Sequence, residues 1–152
     1  VAAIDFLCKK KGMTMDEGLV YLNKKCGMLG VSGVSSDFRD LKAAKEAGND
    51  RARLALDMFT YSCKKYVGAY MAAMGGLDCI VFTAGVGENT PTIRSAVAGG
   101  LEFFGVKLDE SRNDYKNDGQ IHEISAADSR VKVLVIPTNE ELVIARETAA
   151  LL

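Results

Sequence analysis

The chain has 152 residues, of which 48% are hydrophobic and 26% are charged, and its net charge at pH 7 is −1. These values are typical of one globular domain that is long enough to bury a core. The near-zero charge gives no attraction to nucleic acid or anionic lipid, and no apolar run approaches membrane-spanning length. We therefore predict neither nucleic acid nor membrane among the partners.

The four cysteines and the one histidine form no metal-binding or catalytic pattern. The cysteines lie far apart without a C-x-x-C pair, which is typical of reduced core residues in a cytosolic protein. His122 lies in a polar stretch, where a surface position is the usual one. The N-terminus has no signal-peptide pattern, so we predict a cytoplasmic protein.

The first half of the chain is predicted to be mostly helical. Residues 1–11 have helical apolar spacing, and Thr14 and Glu17 form a capping box for a second helix that stops at Gly27. Residues 27–36 are glycine-rich and are predicted to be a partly buried loop. A helix from Asp37 to about residue 47 should follow.

The longest predicted helix runs from Arg51 to about Met74 and ends at a glycine pair. Its apolar residues follow helical steps and form one stripe, which we predict to be core: Ala55, Phe59, Cys63, Tyr66, Tyr70 and Met74. The same stripe would also suit a dimer interface.

A short strand followed by small residues is the central feature of the second half. Residues 79–82 are apolar and β-branched and predict a strand buried on both faces. Residues 84–87 allow a tight turn and close approach by another molecule, and residues 88–91 read as the start of a helix to about Phe103. Open α/β sheets bind ligands at such connections, but a tight turn without a ligand fits the local pattern equally well. No P-loop motif occurs in the sequence.

The remaining residues predict a second strand of the same kind. Residues 105–130 are polar and irregular, with a short strand near 121–124, and residues 131–136 form a continuous β-branched run. A final helix is capped by Asn139, and its predicted buried stripe is Leu142, Ala145, Ala149 and Leu152.

Parallel pairing of the two strands would bring residues 85–89 and 138–141 to the same edge of the sheet. A hard cation such as Mg²⁺ could bind there through one carboxylate and the oxygens of a phosphate. The local pattern alone favours a simpler role for Glu140 and Glu141, which is to complement the helix dipole.

Three segments, in this order, closely resemble the carboxyl-terminal half of acetate kinases, which belong to the actin-like ATPase superfamily. They are residues 35–41 (SSDFRDL), 81–89 (VFTAGVGEN) and 135–148 (VIPTNEELVIARET). The resemblance implies an α/β fold, part of an actin-like ATPase (ribonuclease H-like) domain with parallel central strands flanked by helices. It also implies that residues 1–152 are a single domain and a fragment of a longer enzyme.

The resemblance further implies which residues bind ligands. Nucleotide-binding residues would be Asp37, Phe38 and Arg39 in one segment and Gly85, Val86, Gly87, Glu88 and Asn89 in another, and Glu140 would serve Mg²⁺. Ala84 stands where the family often has a glycine. The family's catalytic arginine, histidine and aspartate precede the matched portion, so no catalytic residue is expected in this chain.

The intact enzyme would reversibly transfer the γ-phosphoryl group of ATP to acetate, giving acetyl phosphate and ADP, and would be a homodimer. Two alternatives remain open. One is a kinase for propionate or butyrate, and the other is a non-catalytic module for nucleotide binding or dimerisation.

Overall fold

The computed structural model describes residues 2–151, which form two compact units. The boundary between the units in the sequence lies between Ser62 and Cys63. The first unit is helical, and the second combines helices with a small sheet. The assignment of residues 1–152 to a single domain stays a prediction. Within residues 2–151, no helix is both long enough and apolar enough to cross a bilayer.

The first unit consists of consecutive helices. They are α1 (Ala2–Lys11), α2 (Met15–Lys25), α3 (Gly27–Ser32), α4 (Phe38–Glu46) and the first half of α5 (Asp50–Met74). The predicted capping box is confirmed: the Thr14 hydroxyl accepts from the Glu17 backbone N–H at 3.2 Å, and the Glu17 carboxylate accepts from the Thr14 N–H at 2.8 Å. This reciprocal pair fixes the start of α2.

The prediction of a loop over residues 27–36 was wrong for residues 27–32, which form α3. The glycines at its two ends, Gly27 and Gly33, have φ of 61° and 67°. Glycine adopts these left-handed positions without strain, while the apolar residues between them are helical.

The predicted core stripe of α5 is correct only in its first part. Ala55 is buried, and Phe59 packs edge-to-face on Phe38 with ring centroids 4.8 Å apart. Tyr66, Tyr70 and Met74, by contrast, are 59%, 63% and 63% exposed. In the second unit the packed face of α5 contains Val67 and Met71. Tyr66 and Tyr70 each precede one of these residues and therefore point about 100° away.

The second unit contains a sheet of three strands, β1 (Cys79–Phe82), β2 (His122–Glu123) and β3 (Lys132–Val135), which lie in the order β1–β3–β2. β1 pairs in parallel with β3, with Cys79 opposite Lys132 and Phe82 opposite Val135. β2 pairs with β3 in the antiparallel direction. The prediction of two parallel central strands is confirmed.

One face of this sheet forms the core of the second unit. Its buried cluster consists of Ile80, Ala98, Leu101, Val106, Ile124, Val131, Val133 and Val135. The prediction that the strands are covered on both faces was wrong within the described residues, because Val81 is 48% exposed and Lys132 is exposed too. The helices that cover the sheet lie on the Ile80 and Val133 side.

The remaining helices of the second unit differ in detail from the predictions. They are α6 (Ala84–Asn89), α7 (Pro91–Ala98), a 3₁₀ turn (Glu102–Phe104), α8 (Glu110–Asn113) and α9 (Glu140–Ala149). α7 ends earlier than predicted because Gly99 and Gly100 follow, and Gly100 has a φ of 77°. The predicted stripe on α9 was wrong: Leu142, Ala145 and Ala149 are exposed, and no described element covers them, while Leu152 lies outside the described residues.

Candidate functional site

An open cleft of about 640 Å³ lies where β1 and β3 end. The residues after β1 contribute Ala84 and Gly85, and those after β3 contribute the stretch from Ile136 to Glu141, with Gly119 and Ile121 completing the lining. The parallel pairing therefore brings together the two segments that the sequence placed at one sheet edge. This is the usual ligand position of an open α/β sheet.

Helix α6 begins immediately after β1, at a residue in an unusual conformation. Ala84 has a φ of 59°, and it is the non-glycine residue with positive φ among those described. A side chain in this left-handed region costs roughly 1–2 kcal/mol. The turn predicted for residues 84–87 was wrong, because these residues form one turn of helix. The helix start predicted within residues 88–91 is confirmed, since α7 begins at Pro91 with Thr90 as its N-cap. Glycine's low helix propensity, which suggested a turn, is overridden by the packing around it.

The two glycines of α6 have different surroundings. A Cβ added to Gly85 would meet no atom within 4 Å, and Gly85 lines the cleft. A Cβ added to Gly87 would lie 3.3 Å from the carbonyl carbon of Phe82. Gly85 therefore leaves space for another molecule, whereas Gly87 allows α6 to pack closely against the end of β1.

Glu88 connects the two sides of the cleft. Its Oε1 accepts hydrogen bonds from the backbone N–H of Thr138 at 2.8 Å and from the Thr138 hydroxyl at 3.1 Å. Its Oε2 accepts from the side-chain amide of Asn117 at 3.3 Å. These hydrogen bonds lower the pKa of Glu88 below its ordinary value, and the bond from the Thr138 N–H has the largest effect. The carboxylate is thus occupied by protein donors and holds the segment after β3 against α6.

The other predicted residues of this segment lie beside the cleft rather than in its lining. Val86 is half-buried, and Asn89 donates from its side-chain amide to the Gly85 carbonyl at 3.0 Å. The Asn89 side-chain oxygen accepts from Asn117 at 3.1 Å. The first contact stabilises α6 internally, and the second connects α6 to Asn117. A direct role for either residue in nucleotide binding stays a prediction.

Two carboxylates project from the first turn of α9. Asn139 caps this helix, and its side-chain oxygen accepts from the Leu142 N–H at 3.0 Å. Glu140 and Glu141 are both exposed and both line the cleft. Within residues 2–151, neither carboxylate forms a hydrogen bond or an ion pair, so both can accept an external ligand.

The donor set at the cleft limits the kind of metal that can bind. The described residues contain no group of three or more His, Cys, Asp or Glu side chains placed to hold a metal ion. Mg²⁺ commonly binds through one or two carboxylates together with waters and phosphate oxygens, rather than in an all-protein cage. An exposed glutamate beside an open cleft fits this type of coordination.

Asp37, Phe38 and Arg39 belong to the first unit, and local contacts explain two of them. Asp37 caps α4 and holds Arg39 in a two-pronged ion pair, with Oδ2 2.7 Å from Nη2 and Oδ1 3.1 Å from Nε. This guanidinium lowers the pKa of Asp37 to about 2. Phe38 packs on Phe59, whereas the side chain of Arg39 is 91% exposed. Their role in nucleotide binding stays a prediction.

The contacts of Thr138, Asn117 and Arg94 were not predicted from the sequence. Nothing in the local pattern pairs Thr138 or Asn117 with Glu88, because these contacts join residues 50 and 29 positions apart. The sequence does contain an indication for Arg94, because it lies in α7 between the buried residues Ile93 and Val97. A charged residue on an apolar helical face is rarely buried without a reason.

Comparison with known proteins gives a consistent result. A model of the acetokinase family matches residues 1–146. The acetate kinase of Heliobacterium modesticaldum is 54% identical over 151 residues, which are 99% of this chain and 37% of that protein.

Solved structures agree in fold. The crystal structure of Porphyromonas gingivalis acetate kinase matches with a TM-score of 0.88 and 46% identity, over 98% of this chain and 37% of that one. The crystal structure of a propionate kinase from Francisella tularensis matches with a TM-score of 0.82 and 32% identity, over 96% and 36% of the two chains. This chain spans little more than a third of the length of these relatives.

Proposed function

Because this chain belongs to the acetokinase family, we propose that it is the nucleotide-binding part of an acetate kinase. The intact enzyme would transfer the γ-phosphoryl group of ATP to acetate, reversibly, as a cytoplasmic homodimer. In the forward direction a carboxylate oxygen of acetate attacks the γ-phosphorus, and the bond from that phosphorus to the β–γ bridging oxygen breaks. Acetyl phosphate forms, and ADP leaves with the bridging oxygen.

The observation that supports this proposal is the cleft at the ends of β1 and β3. Gly85 offers an open backbone on one side, and Glu140 offers an exposed carboxylate on the other. We assign the adenosine to the α6 side, where the missing Cβ of Gly85 allows close approach. In the first unit, the Arg39 guanidinium can stack on a base or bind oxygens through its fork, and we propose it as a nucleotide-binding residue.

We assign Glu140 to Mg²⁺, which would help to neutralise the charge that develops during phosphoryl transfer. Glu140 would provide one hard oxygen ligand for that ion. We place no catalytic residue in this chain. Its contribution is to position the nucleotide and to support the metal.

The acyl substrate has a second candidate. The likeness to the Francisella tularensis propionate kinase supports propionate, and by the same chemistry butyrate, as an alternative to acetate. One further methylene in an apolar pocket changes discrimination by only about 1–3 kcal/mol. The difference in free energy that separates the two substrates is therefore small.

A non-catalytic role has its own support. Tyr66, Tyr70 and Met74 form an exposed apolar face on α5, which would suit a second subunit. In this alternative the chain would bind nucleotide or dimerise without taking part in phosphoryl transfer.

The testing experiment measures phosphoryl transfer by the intact enzyme with acetate, propionate and butyrate as separate acceptors. We expect kcat/KM to be highest for acetate. Equal or higher values for propionate or butyrate would reassign the substrate. Absence of transfer to all three, in a protein that binds ADP, would favour the non-catalytic module.

A further inference from the structure

Arg94 is a fully buried cation, and all its hydrogen-bond partners within the described part of the chain are neutral. Each bond that it makes within residues 2–151 goes to a backbone carbonyl or to an amide oxygen. Burial lowers the pKa of its guanidinium. Burying a charge without an opposite charge is costly, and an apolar residue at this position would avoid that cost. The presence of an arginine at this position therefore has to be explained by the groups that it binds.

The guanidinium joins two parts of the chain. On one side, Nε donates to the Asn113 side-chain oxygen at 2.6 Å, and Nη2 donates to the Asn113 backbone carbonyl at 2.7 Å. On the other side, Nη1 donates to the carbonyls of Gly87 and Glu88 at 2.8 and 2.9 Å. The planar fork of an arginine reaches all these acceptors at once, which one ammonium group cannot do.

The Asn113 end of this arrangement is rigid. Asn113 is buried, and its amide donates to the Pro91 carbonyl at 3.1 Å and to the Ser95 hydroxyl at 2.8 Å. The guanidinium also lies over the Tyr115 ring, 5.2 Å from its centroid. Arg94, which belongs to α7, is therefore held to α8. Through Arg94 the end of α6 is held to these two helices as well.

The two carbonyls that Arg94 binds lie in the last turn of α6, where the carbonyls of a helix have no internal donors left. A cation at this end complements the helix dipole. The Glu88 side chain, on the same residue as one of these carbonyls, binds Thr138 across the cleft. Gly85, one turn earlier, forms the open backbone of the cleft wall.

We propose that Arg94 is a positioning residue of the nucleotide cleft. By holding the Gly87 and Glu88 carbonyls it sets the orientation of α6, which keeps Gly85 facing the cleft and Glu88 in contact with Thr138. Arg94 does not touch the ligand in this arrangement. The inference rests on the proposed nucleotide function and adds to it a residue that acts from behind the binding surface.

The test compares Arg94→Met and Arg94→Lys in the intact enzyme. Methionine fills the space without donors, and lysine restores the charge and one donor group but not the fork. We expect Arg94→Met to raise the KM for ATP and the Kd for ADP by about tenfold, with the KM for acetate changed less than about twofold. Arg94→Lys should recover only part of the loss.

Val106→Ala is the matched control for stability. Val106 is buried in the same core, and it pairs with Val131 at the opposite end of the sheet from the cleft. This variant should lower the Tm of the enzyme but leave the KM for ATP unchanged. A purely structural role for Arg94 would make the Arg94 variants behave like Val106→Ala.

The outcomes separate this inference from the proposed function. If the unsubstituted enzyme does not bind ADP, the proposed function is wrong and the positioning role is wrong with it. If that enzyme binds ADP and folded Arg94→Met keeps its Kd, the positioning role alone is overturned. If Arg94→Met does not fold, Arg94→Lys decides, because an unchanged Kd in that variant also overturns the inference.

Discussion

At the scale of single residues, Gly85 and Gly87 show how position decides the role of a glycine. Both belong to the same short helix, but only Gly85 borders the cleft. An added side chain at Gly85 would enter open space, and one at Gly87 would press on Phe82. The sequence alone does not distinguish Gly85 from Gly87, because it does not show which direction each residue faces.

We expect Gly85→Val to leave the protein folded and to abolish nucleotide binding, because the new side chain occupies the space beside the cleft wall. Gly87→Val should instead lower the free energy of unfolding by about 1–3 kcal/mol through overpacking against Phe82. Calorimetric titration with ADP, together with urea unfolding of both variants, checks this division. Normal ADP affinity in Gly85→Val would remove the adenosine from this side of the cleft.

Glu88 should make the stability of the protein depend on pH. Its pKa is lowered in the folded state by the donors at Thr138, so its contribution is complete above the unfolded pKa of about 4.3. The contribution is lost as the pH falls through the lowered folded pKa. Glu88→Gln should therefore cost about 1 kcal/mol at pH 7, and this difference should shrink below pH 4.

Urea unfolding at several pH values measures this difference. Glu147→Gln is the matched control, because Glu147 is exposed and has no hydrogen bond or ion pair within residues 2–151. A loss in Glu88→Gln that stays constant from pH 7 to about pH 3 would show that the carboxylate charge is not what binds Thr138.

Glu140 and Glu141 both line the cleft, so geometry alone does not decide between them. Dipole complementation predicts that neutralising either one costs a similar 0.3–1 kcal/mol or so of stability. The metal assignment predicts that Glu140→Ala strongly lowers turnover of the intact enzyme and raises its Mg²⁺ requirement, while Glu141→Ala is much milder. Steady-state kinetics over a range of Mg²⁺ concentrations measure both. Equal effects, or a larger effect at position 141, would move the metal role away from Glu140.

At the scale of elements, short-range patterns were the most predictable features. The two β-branched runs became parallel strands, and the capping box at Thr14 formed as expected, because each depends on residues close in sequence. Helices α3 and α6 were missed because glycines within or beside them read as loops. The packed faces of α5 and α9 were partly mispredicted, since burial depends on which other elements lie against a helix.

The cleft itself was predictable in outline but not in its internal contacts. Parallel pairing was sufficient to bring residues 85–89 and 138–141 to one edge. The hydrogen bond from Thr138 to Glu88 and the burial of Arg94 depend on side chains far apart in sequence, which no local pattern records.

The strained start of α6 gives a prediction at this scale. Ala84 has a left-handed φ, which glycine adopts without cost, whereas a β-branched residue there is strongly disfavoured. We expect Ala84→Gly to change the free energy of unfolding by less than about 1 kcal/mol, because relief of strain offsets the added entropy of the unfolded chain. Ala84→Val should cost more than about 1 kcal/mol. Chemical unfolding of the two variants tests this, and equal stabilities would contradict the strain at this position.

At the scale of the whole molecule, the apolar surfaces and the length of the chain lead to the same interpretation. Exposed residues on α5 and α9 include Tyr66, Tyr70, Val143 and Ile144, more apolar surface than scattered single residues would provide. The chain covers 37% of the acetate kinases that it resembles. Under the proposed function, these surfaces would suit contacts with the rest of the intact enzyme or with a second subunit.

We propose that nucleotide and metal bind at the ends of β1 and β3. A crystal structure of the intact enzyme with Mg²⁺ and ADP tests it most directly. We predict adenosine density against Gly85 and a magnesium ion whose coordination includes the Glu140 carboxylate, directly or through one water. Nucleotide bound elsewhere, with the cleft between Gly85 and Glu140 empty, would contradict the account.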